Sequence, residues 1–184
     1  MYDSCDAYVS EVMKFRRALN LTSVSDPELF RERFIAPSLA LSEWMPEQGR
    51  VLDIGSGMGV PGIPLLIGSP GLTGVLVERR KKRAEFLRHV VRKLELHAEV
   101  YDADIHVLES LRVDVCVARA VADQQMLLEM CIRHANPDAI AVLPVPRSSR
   151  AADVDGWTVS GEYAISAGSS NEQKQMIRCY RYNR

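Results

Sequence analysis

Apolar residues change period near Arg50. Before it, Tyr8, Val12, Phe15 and Leu19 recur at helical spacing, which predicts an N-terminal amphipathic helix. "NLTSVSDPEL" (Asn20–Leu29) reads as a loop. Ser25 or Asp26 is placed to cap the next helix, with Pro27 at its first position, where a missing N–H costs little. Pro37 is expected to break or kink that helix before "SLALSEWM" continues it. After Arg50, short apolar runs alternate with helical periods. Val51–Ile54 and Thr73–Val77 read as strands, and Pro61 and Pro64 suit the first turn of the helix between them. Ala84, Leu87, Val90, Val91 and Leu94 form one apolar stripe through "ERRKKRAEFLRHVVRKLEL". Glu99–Tyr101, Val113–Ala118 and Ala139–Leu143 add three strands, with a helix over Gln124–His134 between the last two. Trp157–Val159 and Gln175–Tyr182 read as a closing pair.

This alternation predicts an α/β fold, a doubly wound, mostly parallel sheet of seven strands covered on both faces. A chain of 184 residues suits one domain, with residues 1–48 as a helical cap and 49–184 as the sheet. "PVPRSSRAADVDG" (Pro144–Gly156) is the most linker-like stretch and is too short to separate two domains.

Composition narrows the function classes. Hydrophobic residues at 47% and charged ones at 26% are ordinary for a globular domain. The net charge of -1 supplies no bulk positive field, so any nucleic-acid binding has to rest on a local patch. Cys5, Cys116, Cys131 and Cys179 show no CxxC spacing, which argues against a zinc site and a disulfide framework. His89, His97, His106 and His134 lack metal spacing and are expected at the surface or on helix faces. No metal is expected. Neither a leader-like segment nor a run of ~20 apolar residues is present, so the expectation is a cytoplasmic monomer without a membrane partner.

The chemistry concentrates in "VLDIGSGMGVPGIPL" (residues 51–65). Its spacing is Gly55-x-Gly57-x-Gly59-x-x-Gly62, with Asp53 inside the strand end. Glycines let backbone approach a ligand, and the first N–H groups of the following helix are free donors. A dinucleotide fingerprint would need glycine where Val60 stands, and Asp53 would repel a pyrophosphate. The acid suits a cationic amine, and S-adenosylmethionine carries an ammonium and a sulfonium. Glu78, ending the next strand, can accept ribose hydroxyls with either ligand. A bare tight turn is the third reading.

Marks of two methyl-transfer chemistries are missing. No cysteine follows a proline, as cytosine C5 methylation would need, and "ARAVAD" (Ala118–Asp123) stands where exocyclic-amine methylation would place an Asn/Asp-Pro-Pro-aromatic turn. The acceptor atom is therefore expected to be nucleophilic already, as guanine N7 is; catalysis is then mainly positioning. Arg79, Arg80, Lys81, Lys82 and Arg83 are RNA-binding candidates that follow Glu78 directly. Two readings of them stay open, a solvated helix face and a phosphate-contacting ridge.

Together, "ALNLTSVSDPELFRERFI" (Ala18–Ile35), the glycine stretch, "KKRAEFLRHV" (Lys81–Val90) and "VARAVA" (Val117–Ala122) resemble the ribosomal RNA small subunit methyltransferase G family, also called the glucose-inhibited division protein B family. The resemblance covers roughly the first three quarters of the chain. It implies a Rossmann-like class I methyltransferase fold and S-adenosylmethionine-dependent transfer to guanine N7 of 16S ribosomal RNA, with small-subunit RNA or the assembling 30S subunit as partner. By matching position, Gly55 and Val60 would line the donor, Glu78 would hold its ribose, Asp104 and Ile105 would flank the adenine, and Arg119 would face the cofactor pocket. Asp53, Gly57 and Gly59 complete the expected donor set.

The acceptor side departs from the family. Its usual R-H-x-x-D-S segment reads Arg33-Phe34-Ile35-Ala36-Pro37-Ser38 here, and its Leu-Lys-Gly turn reads Leu143-Pro144-Val145, with Arg147 as the nearest charge. Arg33, Ser38 and Arg147 are the acceptor-side candidates. Two alternatives follow: a catalytically diverged relative that binds RNA or the ribosome without modifying it, and an NAD-dependent oxidoreductase.

Overall fold

A computed structural model describes residues 2–119, 123–165 and 175–184. The N-terminal cap begins with α1 (Tyr2–Phe15), whose Tyr8 and Val12 are fully buried as the periodicity required. Asp26 caps α2 (Pro27–Phe30), accepting the Leu29 N–H at 2.8 Å, with Pro27 opening the helix. The irregularity expected at Pro37 arises earlier, as a π-helical turn over Arg31–Ile35. Pro37 itself lies in the first turn of α3 (Ala36–Ala40), where no intrahelical N–H is required of it. A 3-10 turn over Leu41–Trp44 ends the cap.

The sheet then runs as β1 (Gly49–Ile54), α4 (Gly62–Gly68), β2 (Leu72–Val77), α5 (Lys81–Lys93), β3 (Ala98–Tyr101), β4 (Val113–Ala118), α6 (Gln124–Ile132), β5 (Ala135–Pro146), β6 (Trp157–Ile165) and β7 (Gln175–Tyr182). The seven strands are ordered β3-β2-β1-β4-β5-β7-β6. The first five pair in parallel, and β7 inserts antiparallel between β5 and β6. Strand order reverses between β1 and β4, which is where open α/β sheets bind ligands beyond the carboxyl ends of their strands.

Alternation across the pleat divides the core. Leu52, Ile54, Cys116 and Ala118 pack with Leu127, Leu128 and Cys131 of α6 on one face. On the other, Leu76 packs with Phe86, Leu87 and Val90 of α5 and with Tyr8, Val12 and Phe30 of the cap. Val51, Val115 and Val117 meet Leu65 and Leu66 of α4 on that same side. The four cysteines are buried thiols. Among the described residues, no helix is long and apolar enough to cross a membrane.

Four expectations need correction. β5 extends to Pro146, so the first residues of the linker-like stretch belong to a strand; Val145 is buried and pairs with Met176. β6 runs to Ile165, lengthened by pairing with β7 across a register shift between Val159 and Gly161, which its polar edge-strand sequence concealed. α6 stops at Ile132, because His134 turns inward. His134 is buried, not at the surface: its Nδ1 accepts the Leu111 N–H at 3.3 Å and its carbonyl accepts that of Val113 at 2.8 Å.

Candidate functional site

The glycine stretch leaves the end of β1 as a turn held by buried polar groups. Ser56 donates its hydroxyl to the Asp53 carbonyl at 2.8 Å, and its N–H bonds the Val77 carbonyl at 3.0 Å, tying the turn to β2. Asp53 Oδ2 accepts the Gly62 N–H at 3.1 Å. A Cβ on Gly62 would stand 2.6 Å from that oxygen, so only glycine allows the approach. Gly59, at φ +100°, is equally constrained: a Cβ there would meet Ile63 at 2.6 Å. Behind the turn, the buried Tyr8 hydroxyl donates to the Met58 carbonyl at 2.8 Å, which docks α1 onto the glycine loop.

Glu78 ends β2 with its carboxylate fixed at both oxygens. Oε2 accepts the Gly57 N–H at 3.0 Å and Oε1 the Arg80 N–H at 2.7 Å. Each oxygen keeps a lone pair for a further donor. Around Glu78 opens a cleft of about 440 Å³, within the range of ~300–1,000 Å³ usual for small-molecule sites. Its lining includes Ile54 and Gly55 from the end of β1, Asp104, Ile105 and His106 after β3, and Arg79, Arg80 and Arg83 at the start of α5. Asp104 caps the 3-10 turn at Ile105–Val107 by accepting the His106 N–H at 3.0 Å.

The structure thus gathers Gly55, Glu78, Asp104 and Ile105 on the wall of one cleft, with Gly57 bonded to Glu78 at its edge. Gly59 and Val60 do not join them. Gly59 faces Ile63, Leu87 and Tyr8, and Val60 is buried in the apolar cluster under the cap. Asp53 lies beneath the turn, off the cleft wall, and its Oδ1 is buried without a hydrogen-bond partner among the described residues. Burial pushes its carboxyl up to about 7, the Gly62 N–H opposing this and the Glu78 charge adding to it.

Arg119, at the end of β4, lies in a separate small hollow with Ser38, Pro61 and Pro144. Its guanidinium stacks over Phe34 at 4.7 Å and donates to the Arg33 carbonyl at 2.9 Å. Burial lowers its pKa. Ser38 is buried and donates to the Phe34 carbonyl at 2.5 Å, while Arg33 and Arg147 are exposed. The "AVA" of the matching "VARAVA" segment, residues 120–122, lies outside the described residues. Of the basic run, Arg79, Arg80 and Arg83 border the cleft, whereas Lys81 and Lys82 are exposed on the opening of α5. Among the described residues, no group of three or more His, Cys, Asp or Glu could hold a metal.

Two features carried no motif in the sequence. Tyr8 appears there only as one of several apolar-face positions. Arg178 sits in a strand flanked by buried Ile177 and Cys179 and is itself 2% exposed. Its guanidinium bonds Glu162 at 2.6 Å, Gln124 at 2.6 Å, and the carbonyls of Ser149 and Arg150, both at 2.9 Å. Tyr180 donates to the same Gln124 oxygen and accepts the Ala152 N–H, both at 2.9 Å. This network pins the segment that follows Arg147 against α6 and β7. An arginine in phase with Met176 and Tyr180 was the available signal.

Among solved structures, the fold is similar to a SAM dependent methyltransferase from Aquifex aeolicus, at TM-score 0.62 and 17% identity, over 84% of this chain and 93% of that one. It is also similar to M. jannaschii TYW2 in complex with AdoMet, at TM-score 0.62 and 12% identity, over 84% and 77%. At such identities the likeness is one of fold. In sequence, the chain is 35% identical to a ribosomal RNA small subunit methyltransferase G of Chloroflexus aggregans, over 71% of this chain and 58% of the relative. It is 39% identical to one of Xylella fastidiosa over 62% and 55%, so the match spans little more than half of these relatives. A Xanthomonas oryzae pv. oryzae relative matches at 30% identity over 92% of this chain and 82% of its own length. The family model for rRNA small subunit methyltransferase G matches residues 1–143, and the chain belongs to that family.

Proposed function

We propose that the protein is an S-adenosylmethionine-dependent methyltransferase that modifies small-subunit ribosomal RNA, with guanine N7 as the acceptor atom. The observation that carries the donor assignment is Glu78, held by two backbone N–H groups with lone pairs to spare on the cleft wall. The rest of the donor set fits the ligand's parts. Glu78 suits the ribose diol, Asp104 can accept from the adenine's exocyclic amine, and Ile54, Ile105 and Met130 give the ring an apolar lining. The orphaned Oδ1 of Asp53 is a buried acceptor that a cationic ligand above the turn would satisfy, in charge if not by contact.

The donor supplies a methyl group activated by its sulfonium. Guanine N7 has an in-plane lone pair and no proton, so the chain's residues need not provide a general base. Their work is to hold, orient and exclude water. Tyr8 and Ser56 fix the loop, Glu78 fixes the ligand along the cleft, and Arg119 with Ser38 borders the hollow nearest the ends of β4 and β5. Titration calorimetry with S-adenosylmethionine tests the reading: binding is expected, and Gly55→Val or Glu78→Ala should weaken it. Undetectable binding at millimolar donor would sink the proposal. The altered cap segment at Arg33–Ser38 favours one other reading, a relative that binds RNA without modifying it. Mass spectrometry of ribosomal RNA from strains with and without the gene separates the two by the presence of a dependent methyl group.

A further inference from the structure

Two apolar hollows open on the cap side of the molecule, and their charges differ. One, of about 470 Å³, lies between α1 and the α2–α3 segment beside Asp6, Glu28 and Glu32, with Arg31 already paired to Asp6 and Glu28. The other, of about 310 Å³, is formed by Phe15, Leu19, Lys82, Glu85, Phe86 and His89. Its rings meet edge to face: Phe15 lies 5.9 Å from Phe86 and 5.7 Å from His89. The acids of this second face are engaged, Glu85 with Arg88 and Glu11 with Lys93 and His89. Lys14, Arg16, Arg17 and Lys82, by contrast, enter no ion pair among the described residues. The Lys14 ammonium stands 5.2 Å from the centre of the Phe15 ring.

We infer that the Phe15–Phe86–His89 hollow is a docking pocket for an unpaired nucleobase of single-stranded RNA, with Lys14, Arg16, Arg17 and Lys82 drawing the adjoining phosphates. Phe86 is buried at the back of the hollow, and Phe15 and His89 are partly exposed at its opening, with Lys82 on its wall and Lys14 beside the Phe15 ring. Partly open rings beside unmatched cations are an arrangement that holds single strands, because every base has a π-face and every linkage a charge. The acidic hollow lacks that complementarity. Lys82, Phe86 and His89 follow one flank of α5 at i, i+4 and i+7, while Arg79, Arg80 and Arg83 border the donor cleft at the same helix's beginning. A strand seated in the hollow therefore has a basic path over the start of α5 to the cleft. The inference rests on the RNA-directed reading above and deepens it, naming a second contact remote from the donor.

The test uses the full chain and fluorescence anisotropy with two probes of equal length, a single-stranded oligoribonucleotide and its abasic counterpart. The wild type is expected to prefer the base-bearing strand by ~5-fold or more. Phe15→Leu should abolish that preference and leave the salt dependence unchanged, whereas joint Lys14→Gln, Arg17→Gln and Lys82→Gln should flatten the salt dependence. Phe15→Trp covers the case of a poorly folded leucine variant. It should retain the preference, and its added emission should be quenched by the base-bearing strand only. No preference in the wild type, an unchanged preference in Phe15→Leu, or unquenched Phe15→Trp would each overturn the inference. So would an equal loss of binding to phosphatidylserine vesicles in Phe15→Leu, which would make the hollow a lipid contact. Donor calorimetry on the wild type keeps the two readings apart, since lost donor binding with intact base preference removes only the methyl-transfer reading.

Discussion

Asp53→Asn tests whether the buried carboxyl beneath the glycine turn carries a cost in the free protein. Burial raises this group from 3.8 to about 7, so from about pH 4 to about pH 7 the unfolded chain loses a proton that the folded chain keeps. Stability then falls as pH rises through that window, and the loss is complete above the folded value. At ~1.4 kcal/mol per pH unit the raised value amounts to roughly 4 kcal/mol, an upper figure because buried groups relax and admit water. Asparagine keeps an acceptor for the Gly62 N–H and removes the ionisation. Urea unfolding at about pH 4 and about pH 8 should therefore show the variant gaining on the wild type by about 2–4 kcal/mol between the two. The same substitution should weaken S-adenosylmethionine binding at the higher pH, where the wild type presents a negative charge beneath the turn. A stability difference that stays constant with pH would refute the reasoning, since it would mean that Asp53 ionises alike in both states.

Other substitutions address the remaining parts. Gly59→Ala places a methyl group against Ile63 at a left-handed φ and should cost about 1–3 kcal/mol in thermal or urea unfolding. Tyr8→Phe leaves the Met58 carbonyl without its partner and should cost about 1–3 kcal/mol, with donor affinity falling as the loop loosens. Arg178→Met should free the carbonyls of Ser149 and Arg150, seen as faster proteolysis after Arg147 with little change in donor affinity. Arg79→Glu with Lys82→Glu should weaken RNA binding and flatten its salt dependence; unchanged slopes would return the run to a solvated face.

Periodicity was enough to place the parallel half of the sheet, because β1, β2 and β4 are apolar on both faces and end at abrupt changes of composition. The antiparallel half was harder. β6 is an edge strand with polar "SGE" at its centre, and β5 hides its last residues behind two prolines, so neither extent follows from local pattern. In the candidate site, the place of Glu78 on the cleft wall was legible because an acid at a strand end has few structural uses. Gly59 and Val60 were less so: a glycine turn has an inner and an outer side, and spacing alone cannot say which residues face the cleft. The Arg178 network was illegible for another reason. Its partners lie as far as 54 residues away in sequence, and only the insertion of β7 beside β5 brings them together.

Two of the places where the described residues break local rules border Glu78. A buried carboxyl with an unpartnered oxygen sits under the turn. Beside it, α5 opens with Lys81, Lys82 and Arg83, so cations stand where the helix dipole disfavours them by about 0.3–1 kcal/mol each. No acid in that first turn offsets them, and at the opening of α5 Glu78 accepts the Arg80 N–H, its other oxygen being turned to Gly57. Neither feature helps the free protein fold. A cationic methyl donor above Asp53 and a polyanion along the start of α5 would relieve both at once, one supplying positive charge and the other negative. Natural sequences keep such violations where a ligand answers them. That two of opposite sign meet at one carboxylate is the physical reason to expect donor and RNA to be held on either side of it.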